Sequence, residues 1–161
     1  MFVRPMKETD LDAVADIENA CFSDPWSRKS FEDSLKEQAA HLLVIEAESA
    51  AKDSEFGFRT APVIGYCCLY QTLDEGEIVN VAIGPKFRQK GYGAVMVRAL
   101  MHLGLSLGVE RFFLEVRAGN SAGKRLYESL GFEICGMRKG FYSNPREDAV
   151  LMMWQREDVC Q

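Results

Sequence analysis

The feature that most constrains this chain of 161 residues is the basic, glycine-containing stretch KFRQKGYG at residues 86–93. The short apolar run VNVAIGP precedes it, and the run AVMVRALMHLGLSL follows it. In the second run Met96, Leu100, Leu103 and Leu107 recur at steps of four, three and four residues, which predicts a helix of about four turns. The stretch is therefore a junction between a strand and a helix, with three cations and two glycines where the helix begins.

The rest of the chain alternates between strand-like and helix-like segments. Period-two or continuously apolar runs predict strands at residues 1–5, 41–49, 63–73, 77–83, 111–117, 133–139 and 147–156. Helical spacing predicts three further helices, at residues 9–22 and 27–38 and within 118–132. Residues 50–60 are polar and aperiodic, which indicates a loop. The pattern predicts one α/β domain over residues 1–161, built on a mixed sheet.

Composition and charge exclude several classes of function. The net charge of −5 gives no general attraction for nucleic acid or anionic membranes, and no apolar run approaches the roughly 20 residues that span a bilayer. The N-terminus lacks the organisation of a signal peptide, and the five cysteines have no metal-ligand spacing. We therefore expect a cytoplasmic protein with small buried thiols and no metal.

The junction has the chemistry of an anion site. A helix N-terminus carries unpaired N–H groups and about half a positive charge. Gly91 and Gly93 would let a phosphate approach the backbone closely, and Arg88, Gln89 and Lys90 add donors. Neither a G-x-x-x-x-G-K-[ST] loop nor a G-x-G-x-x-G fingerprint is present, so the phosphate belongs to another class of cofactor. The alternative is an ordinary solvated loop whose glycines serve the turn.

The R-x-x-G-x-G pattern of Arg88, Gly91 and Gly93 resembles the acetyl-CoA pyrophosphate loop of the GNAT N-acetyltransferases. The runs CFSDPWSRKSF, VNVAI, FLEVRAGNSAGKRLYESLGF and EDAVLM resemble its RimI branch, the ribosomal-protein-alanine N-acetyltransferases. The resemblance covers nearly the whole chain and is weakest at residues 46–62. It implies the GNAT fold, an α/β arrangement in which a mixed, mostly antiparallel central sheet of about seven strands is flanked by about four helices.

The same resemblance implies a binding site for acetyl-CoA. The backbone of Val81, Ala82 and Ile83 would run beside the pantetheine arm, as an added strand does at a sheet edge. The pyrophosphate cradle would consist of Arg88, Gln89, Lys90, Gly91, Tyr92, Gly93 and Ala94. Asn120 matches an asparagine that contacts the CoA arm, and it can also cap the following helix. Gly119 stands where relatives often have serine.

Two residues match the catalytic groups of the family. Glu115 lies between apolar neighbours on a predicted strand, where burial would raise its pKa toward that of a general base. The resemblance implies that it deprotonates the incoming amine, and the alternatives are a solvated edge or an ion pair with Arg117. Tyr127 matches the acid that protonates the departing CoA thiolate, and its alternative role is that of a core aromatic.

By resemblance, the acceptor is the N-terminal alanine of a small-subunit ribosomal protein. Trp26, Glu77 and Tyr142 stand where relatives line the acceptor groove. At pH 7 roughly a tenth of α-amines is neutral, against fewer than about one lysine in a thousand, which favours an α-amine. The segment before EDA is shorter here than in relatives, so acetylation of lysines or small amines stays open. Retention of Glu115 and Tyr127 disfavours a non-catalytic CoA-binding module. We expect a monomer that binds neither nucleic acid nor membrane.

Overall fold

A computed structural model describes residues 2–47 and 61–156 of the chain. The predicted loop at residues 50–60 and Cys160 lie outside the described residues. The strands are β1 (Phe2–Pro5), β2 (Ala40–Glu46), β3 (Val63–Thr72), β4 (Glu75–Ile83), β5 (Arg111–Arg117), β6 (Glu133–Tyr142) and β7 (Glu147–Gln155). The helices are α1 (Leu11–Cys21), α2 (Arg28–Ser34), α3 (Tyr92–Ser106) and α4 (Ser121–Ser129), with short 3₁₀ turns at Glu8–Asp10 and Pro85–Phe87.

The strands form one seven-stranded sheet in the order β1-β2-β3-β4-β5-β7-β6. The β4–β5 pair is parallel, and the other neighbouring pairs among the described strands are antiparallel. The parallel pair follows from the chain path, because α3 crosses over between β4 and β5. The predicted fold class, a mixed and mostly antiparallel sheet with four helices, is confirmed.

The sheet divides between β4 and β5. The two strands pair only over Glu75–Ile78 and Arg111–Leu114. The register of β3 against β4 shifts from Ile78 to Asn80, which leaves Val79 without a partner in a β-bulge. A bulge bends its strand and increases the local twist. Beyond it β4 and β5 have no ladder between them, and this opening is called the fork below.

Two apolar clusters cover the two faces of the sheet. Cluster one joins α3 to β5 and β7 through buried side chains that include Met96, Leu100 and Phe112. Cluster two places α1 and α2 on the other face, with Val14 and Phe31 fully buried. Each helix is held by its periodic apolar side, as the sequence predicts. The clusters therefore hold helices on both sides of the fork.

A buried carboxylate links α1 to the fork. Glu18 is 1% exposed and accepts hydrogen bonds from the Tyr66 hydroxyl, the Trp26 backbone N–H at 2.8 Å and the Asn80 amide at 3.3 Å. Asn80 follows the bulged Val79 directly, so Glu18 fixes β4 at the point where it leaves β5. Burial raises the pKa of Glu18, and these donors oppose the rise.

Several predicted boundaries were wrong. Helix α2 ends at Ser34 instead of residue 38, because the Lys36 and Glu37 N–H groups bond to the Asp33 and Ser34 carbonyls in tight turns. Helix α1 begins at Leu11 because residues 8–10 form a 3₁₀ turn. Strand β6 continues to residue 142 instead of ending at residue 139.

Two predictions of burial also need correction. The nearly continuous apolar run RFFLEVR predicts burial of β5 on both faces, but only Phe112, Leu114 and Val116 are buried, and the alternate residues are half-buried. The half-buried face borders the clefts described below. Cys135, one of the five cysteines expected to be small buried thiols, is exposed where β6 shifts its register against β7. No helix within residues 2–47 and 61–156 is long and apolar enough to cross a membrane.

Candidate active site

A cleft of about 830 Å³ opens at the fork and is called the large cleft here. Its walls come from the end of β4, the start of α3, the loop that precedes α4, and the end of α1. The predicted cofactor residues that line it are Val81, Ala82, Ile83, Arg88, Gln89, Gly91, Tyr92, Gly93, Ala94 and Asn120. Lys90 is exposed outside this lining, with its Nζ 5.8 Å from the centroid of the Phe87 ring.

The loop before α3 forms a concave run of backbone N–H groups. Gln89 and Gly91 have positive φ values of 60° and 81°, and alternating backbone handedness of this kind turns successive N–H groups toward one side. The N–H of Val95 bonds to the Gly91 carbonyl at 3.2 Å and begins the helical ladder, so the preceding N–H groups have no partner within the helix. A Cβ at Gly91 would meet no atom within 4 Å. The cradle is open and suits a phosphate.

Arg88 and Gly93 take part in packing the same loop. The Arg88 Nε donates to the Ile83 carbonyl at 3.1 Å, and its Nη2 lies 3.0 Å from the Cys21 Sγ. The guanidinium therefore braces the loop against β4 and α1. A Cβ at Gly93 would lie 3.2 Å from Leu126 of α4, so this glycine allows α3 and α4 to approach closely.

Asn120 caps α4 and lines the large cleft at the same time. Its Oδ1 accepts a hydrogen bond from the Gly123 N–H at 2.9 Å. The capping role expected from the sequence is therefore present, and it holds the side chain at the wall of the cleft.

Tyr127 lies on α4 and lines the large cleft. Its ring packs edge-on against Phe132, with the two centroids 5.9 Å apart. Its hydroxyl makes no hydrogen bond to another residue of the described ranges. Burial raises the pKa of this phenol, so the group keeps its proton at neutral pH and can donate it.

Glu115 lines a second cleft of about 300 Å³, called the small cleft here, together with Glu77 and Arg138. The Glu115 side chain is 19% exposed, and its Oε1 lies 3.1 Å from the Arg138 Nη1. Burial raises the pKa of Glu115, the charge of Arg138 opposes the rise, and Glu77 adds to it. An ion pair with Arg117 is an alternative that the sequence leaves open, but the structure pairs Glu115 with Arg138.

Glu115 and Tyr127 line different clefts, and the two clefts have no lining residue in common. Leu114 is the last β5 residue that pairs with β4, and Glu115 is the next. The carboxylate therefore stands at the closed end of the fork, while Tyr127 lies on the wall of the large cleft.

The three acceptor-site candidates do not line a common cleft. Glu77 is exposed and lines the small cleft. The ring of Tyr142 lies under the Arg117 guanidinium, with 4.4 Å between the ring centroid and the guanidinium carbon Cζ. Trp26 packs against Phe31, and their ring centroids are 5.4 Å apart. Trp26 and Tyr142 line neither of these two clefts. Their role at an acceptor groove stays a prediction.

Arg117 and Glu147 also line the large cleft, although the sequence does not mark either of them as a residue of this site. Arg117 donates to the Ser143 and Pro145 carbonyls at 3.1 Å each and to the Ser23 hydroxyl at 3.4 Å. It thereby joins the β6–β7 loop to the α1–α2 loop. The only signal for Glu147 was its place in the EDAVLM run. Within the described ranges, no group of three or more His, Cys, Asp or Glu could hold a metal ion.

Comparison with known proteins identifies the family. The model of the acetyltransferase (GNAT) family matches residues 11–132. The chain belongs to the GNAT acetyltransferase family. A Salmonella typhimurium relative, [ribosomal protein bS18]-alanine N-acetyltransferase, is 33% identical over 91% of this chain and 92% of its own length. A Bacillus subtilis protein provisionally given the same name is 36% identical over 94% of this chain and 93% of its own.

Solved GNAT structures agree with these matches. The crystal structure of the Escherichia coli ribosomal-protein-S18-alanine N-acetyltransferase superposes with a TM-score of 0.81 at 27% identity, covering 99% of this chain and 96% of that one. The NatC complex bound to Gag peptide and CoA shares the fold at 19% identity, with a TM-score of 0.76 over 97% of this chain and 98% of that one. GNAT acetyltransferases use acetyl-CoA, and the chain is RimI-like in sequence and fold.

Proposed function

We propose that this protein transfers the acetyl group of acetyl-CoA to the α-amine of the N-terminal alanine of a small-subunit ribosomal protein. The observation that carries the proposal is the identity of 31–36% with curated relatives of that activity over more than nine-tenths of the chain. The matched region is therefore not confined to one motif. We expect the enzyme to act as a monomer in the cytoplasm.

The large cleft offers the groups that acetyl-CoA needs. The open cradle before α3 suits its pyrophosphate, and the edge of β4 at residues 81–83, which pairs with no strand on its β5 side, suits the amides of its arm. Gln89, Lys90 and the N–H groups of Gly91–Ala94 would hold the phosphates, and Asn120 would face the arm. When bound, acetyl-CoA supplies an acetyl thioester whose thiol is a fair leaving group.

In the proposed mechanism Glu115 and Tyr127 move protons in opposite directions. The acceptor nitrogen forms a bond to the acetyl carbon as the carbon–sulfur bond breaks. A Glu115 carboxylate oxygen takes the proton of the amine, directly or through a water, and the Tyr127 hydroxyl gives its proton to the sulfur. The raised pKa of Glu115 suits a base, and the protonated phenol of Tyr127 suits an acid.

The acceptor would approach through the small cleft. Glu75 and Glu77 line it with Glu115, so its carboxylates suit a positively charged peptide. An α-amine is deprotonated more easily than a lysine side chain, which suits a site with one candidate base.

The test is an acetyl-CoA assay with two hexapeptides. One has a free N-terminal alanine and no lysine, and the other has a blocked N-terminus and an internal lysine. We expect CoA release only with the first. Release only with the second would overturn the α-amine assignment in favour of lysine acetylation. No release with either, while acetyl-CoA still binds, would favour small amines or a non-catalytic module.

A further inference from the structure

Glu147 carries an oxygen that is buried and has no hydrogen-bond partner. Its Oε2 is the one such side-chain atom within the described residues, although the side chain as a whole is 29% exposed. The residue begins β7 and lines the large cleft together with Tyr127 and Asn120. A buried acceptor without a donor is costly, because the water it loses on folding is not replaced.

The neighbouring protein groups do not supply the missing donor. The Nη1 of Arg117 is 4.0 Å from the Glu147 Oε2, which balances charge but is too long for a hydrogen bond. The guanidinium instead donates to Ser143, Pro145 and Ser23. On the other side stands Gly119, where a Cβ would lie 3.1 Å from the Oε1. The carboxylate is therefore charge-balanced and only incompletely hydrogen-bonded.

The position of Glu147 selects among the groups that a substrate could offer. It lines the cleft that contains the junction cradle and residues 81–83 of β4, and it does not line the small cleft with Glu77 and Glu115. Asn120 lines the same cleft. The pantetheine arm of CoA is uncharged and carries amide N–H donors. A carboxylate that Arg117 has already balanced can accept from such a donor without repelling the phosphates further along the cleft.

We propose that the Glu147 Oε2 accepts a hydrogen bond from an amide N–H of the pantetheine arm, which makes Glu147 a cofactor-binding residue. This inference rests on the proposed function, in that acetyl-CoA is taken as the donor. The bare backbone of Gly119 leaves room for the carboxylate itself, and the charge of Arg117, 4.0 Å away, attracts it. The contact would satisfy the unpartnered oxygen only when the cofactor is bound.

The experiment is isothermal titration calorimetry with two ligands, CoA and adenosine bisphosphate, which lacks the arm. The Glu147→Gln variant keeps the shape of the side chain and removes its charge. We expect it to bind CoA about tenfold more weakly, because a charge-assisted hydrogen bond is roughly twice as strong as a neutral one. Binding of adenosine bisphosphate should not change. Glu128→Gln, which removes a carboxylate from the exposed side of α4, is the matched control and should bind both ligands like the wild type.

A second variant separates a direct contact from a general effect of charge. Glu147→Asp keeps the charge and shortens the side chain by one methylene group, which moves the carboxylate away from the arm. It too should therefore lower the affinity for CoA and leave the affinity for adenosine bisphosphate unchanged. An equal loss of affinity for CoA and for adenosine bisphosphate would overturn the proposed contact. So would an unchanged affinity for CoA together with a higher KM for the acceptor peptide. A wild-type protein that binds no CoA would overturn the proposed function itself, and the contact with it. Thermal unfolding of each variant shows that the folded protein is being titrated.

Discussion

Glu115 is held between opposing electrostatic influences. Burial and the nearby Glu77 raise its pKa, and Arg138 opposes them from 3.1 Å. A base works only in its ionised form, so kcat/KM should fall on the acid side as Glu115 is protonated. The Arg138→Gln variant loses this cation, so burial and Glu77 should raise the pKa of Glu115 further. We therefore expect the acid limb of the pH profile to move to higher pH in that variant.

The measurement is kcat/KM for the alanine peptide across the acid range. The control is Lys139→Gln, which removes a neighbouring cation from the same strand. Its pH profile should have the same acid limb as that of the wild type. Glu115→Gln should lower kcat by roughly 100- to 10,000-fold with acetyl-CoA affinity nearly intact. A loss of acetyl-CoA binding in Glu115→Gln would mean that the residue is structural. An acid limb that is the same in Arg138→Gln would show that another group titrates there.

The sequence located Glu115 but not its partner, and a single extra residue explains the difference. The mid-strand position of Glu115 among apolar neighbours is visible in the sequence, because the two faces of a strand alternate. In a regular β6, Ile134 and Arg138 would share a face. The register shift at Cys135 inverts the alternation, so Arg138 lies opposite Ala149, on the face of Glu115. Nothing in the run EICGMRK marks the shift.

At the scale of elements, the start of α3 depends on a left-handed residue. Gly91 has a φ of 81°, which costs a residue with a side chain about 1 kcal/mol. Gly91→Ala should lower the free energy of unfolding by about that amount, without a steric clash, because no atom lies within 4 Å of the new Cβ. The methyl group would also stand in the cradle, so CoA affinity should fall as well.

Denaturant unfolding and calorimetry with CoA measure both effects. Gly136→Ala on β6 is the matched control, because its backbone is not left-handed and its new Cβ would lie 3.9 Å from Leu151. That variant should lose little in either measurement. A Gly91→Ala protein as stable as the wild type, with unchanged CoA affinity, would contradict the role assigned to the cradle.

Periodic elements were predictable, and irregular ones were not. The spacing of Met96 and Leu100 locates α3 because a long helix must repeat its buried face. In α2 the apolar pair Phe31 and Leu35 suggests a longer helix, but local i→i+3 hydrogen bonds end it at Ser34. The fork was also invisible, since the bulged Val79 reads as an ordinary strand residue in VNVAI. The elements follow from the sequence, whereas the opening between them depends on register.

At the scale of the molecule, charge is separated between the two clefts. The net charge is −5, yet the loop at the large cleft carries Lys86, Arg88 and Lys90. The small cleft carries Glu75, Glu77 and Glu115 against Arg138. Arg111 lies 3.1 Å from Glu75 and partly offsets that group. An anionic donor and a cationic acceptor would each meet the opposite sign on its own side of the fork.

This separation predicts how salt affects the two substrates. At about 0.1 M ionic strength charges are screened over about 10 Å, so attraction between the acidic small cleft and a basic acceptor should weaken as salt is added. We expect the KM of a basic alanine peptide to rise several-fold between about 50 mM and about 300 mM NaCl, with little change in kcat. The KM of a neutral peptide with the same first residue should change much less.

Glu77→Gln should reduce the salt dependence of KM for the basic peptide alone, because Glu77 is an exposed carboxylate of that cleft. Equal salt dependence for both peptides would mean that the acceptor is recognised by shape and by its amine, and that the acidic surface has no part in its capture.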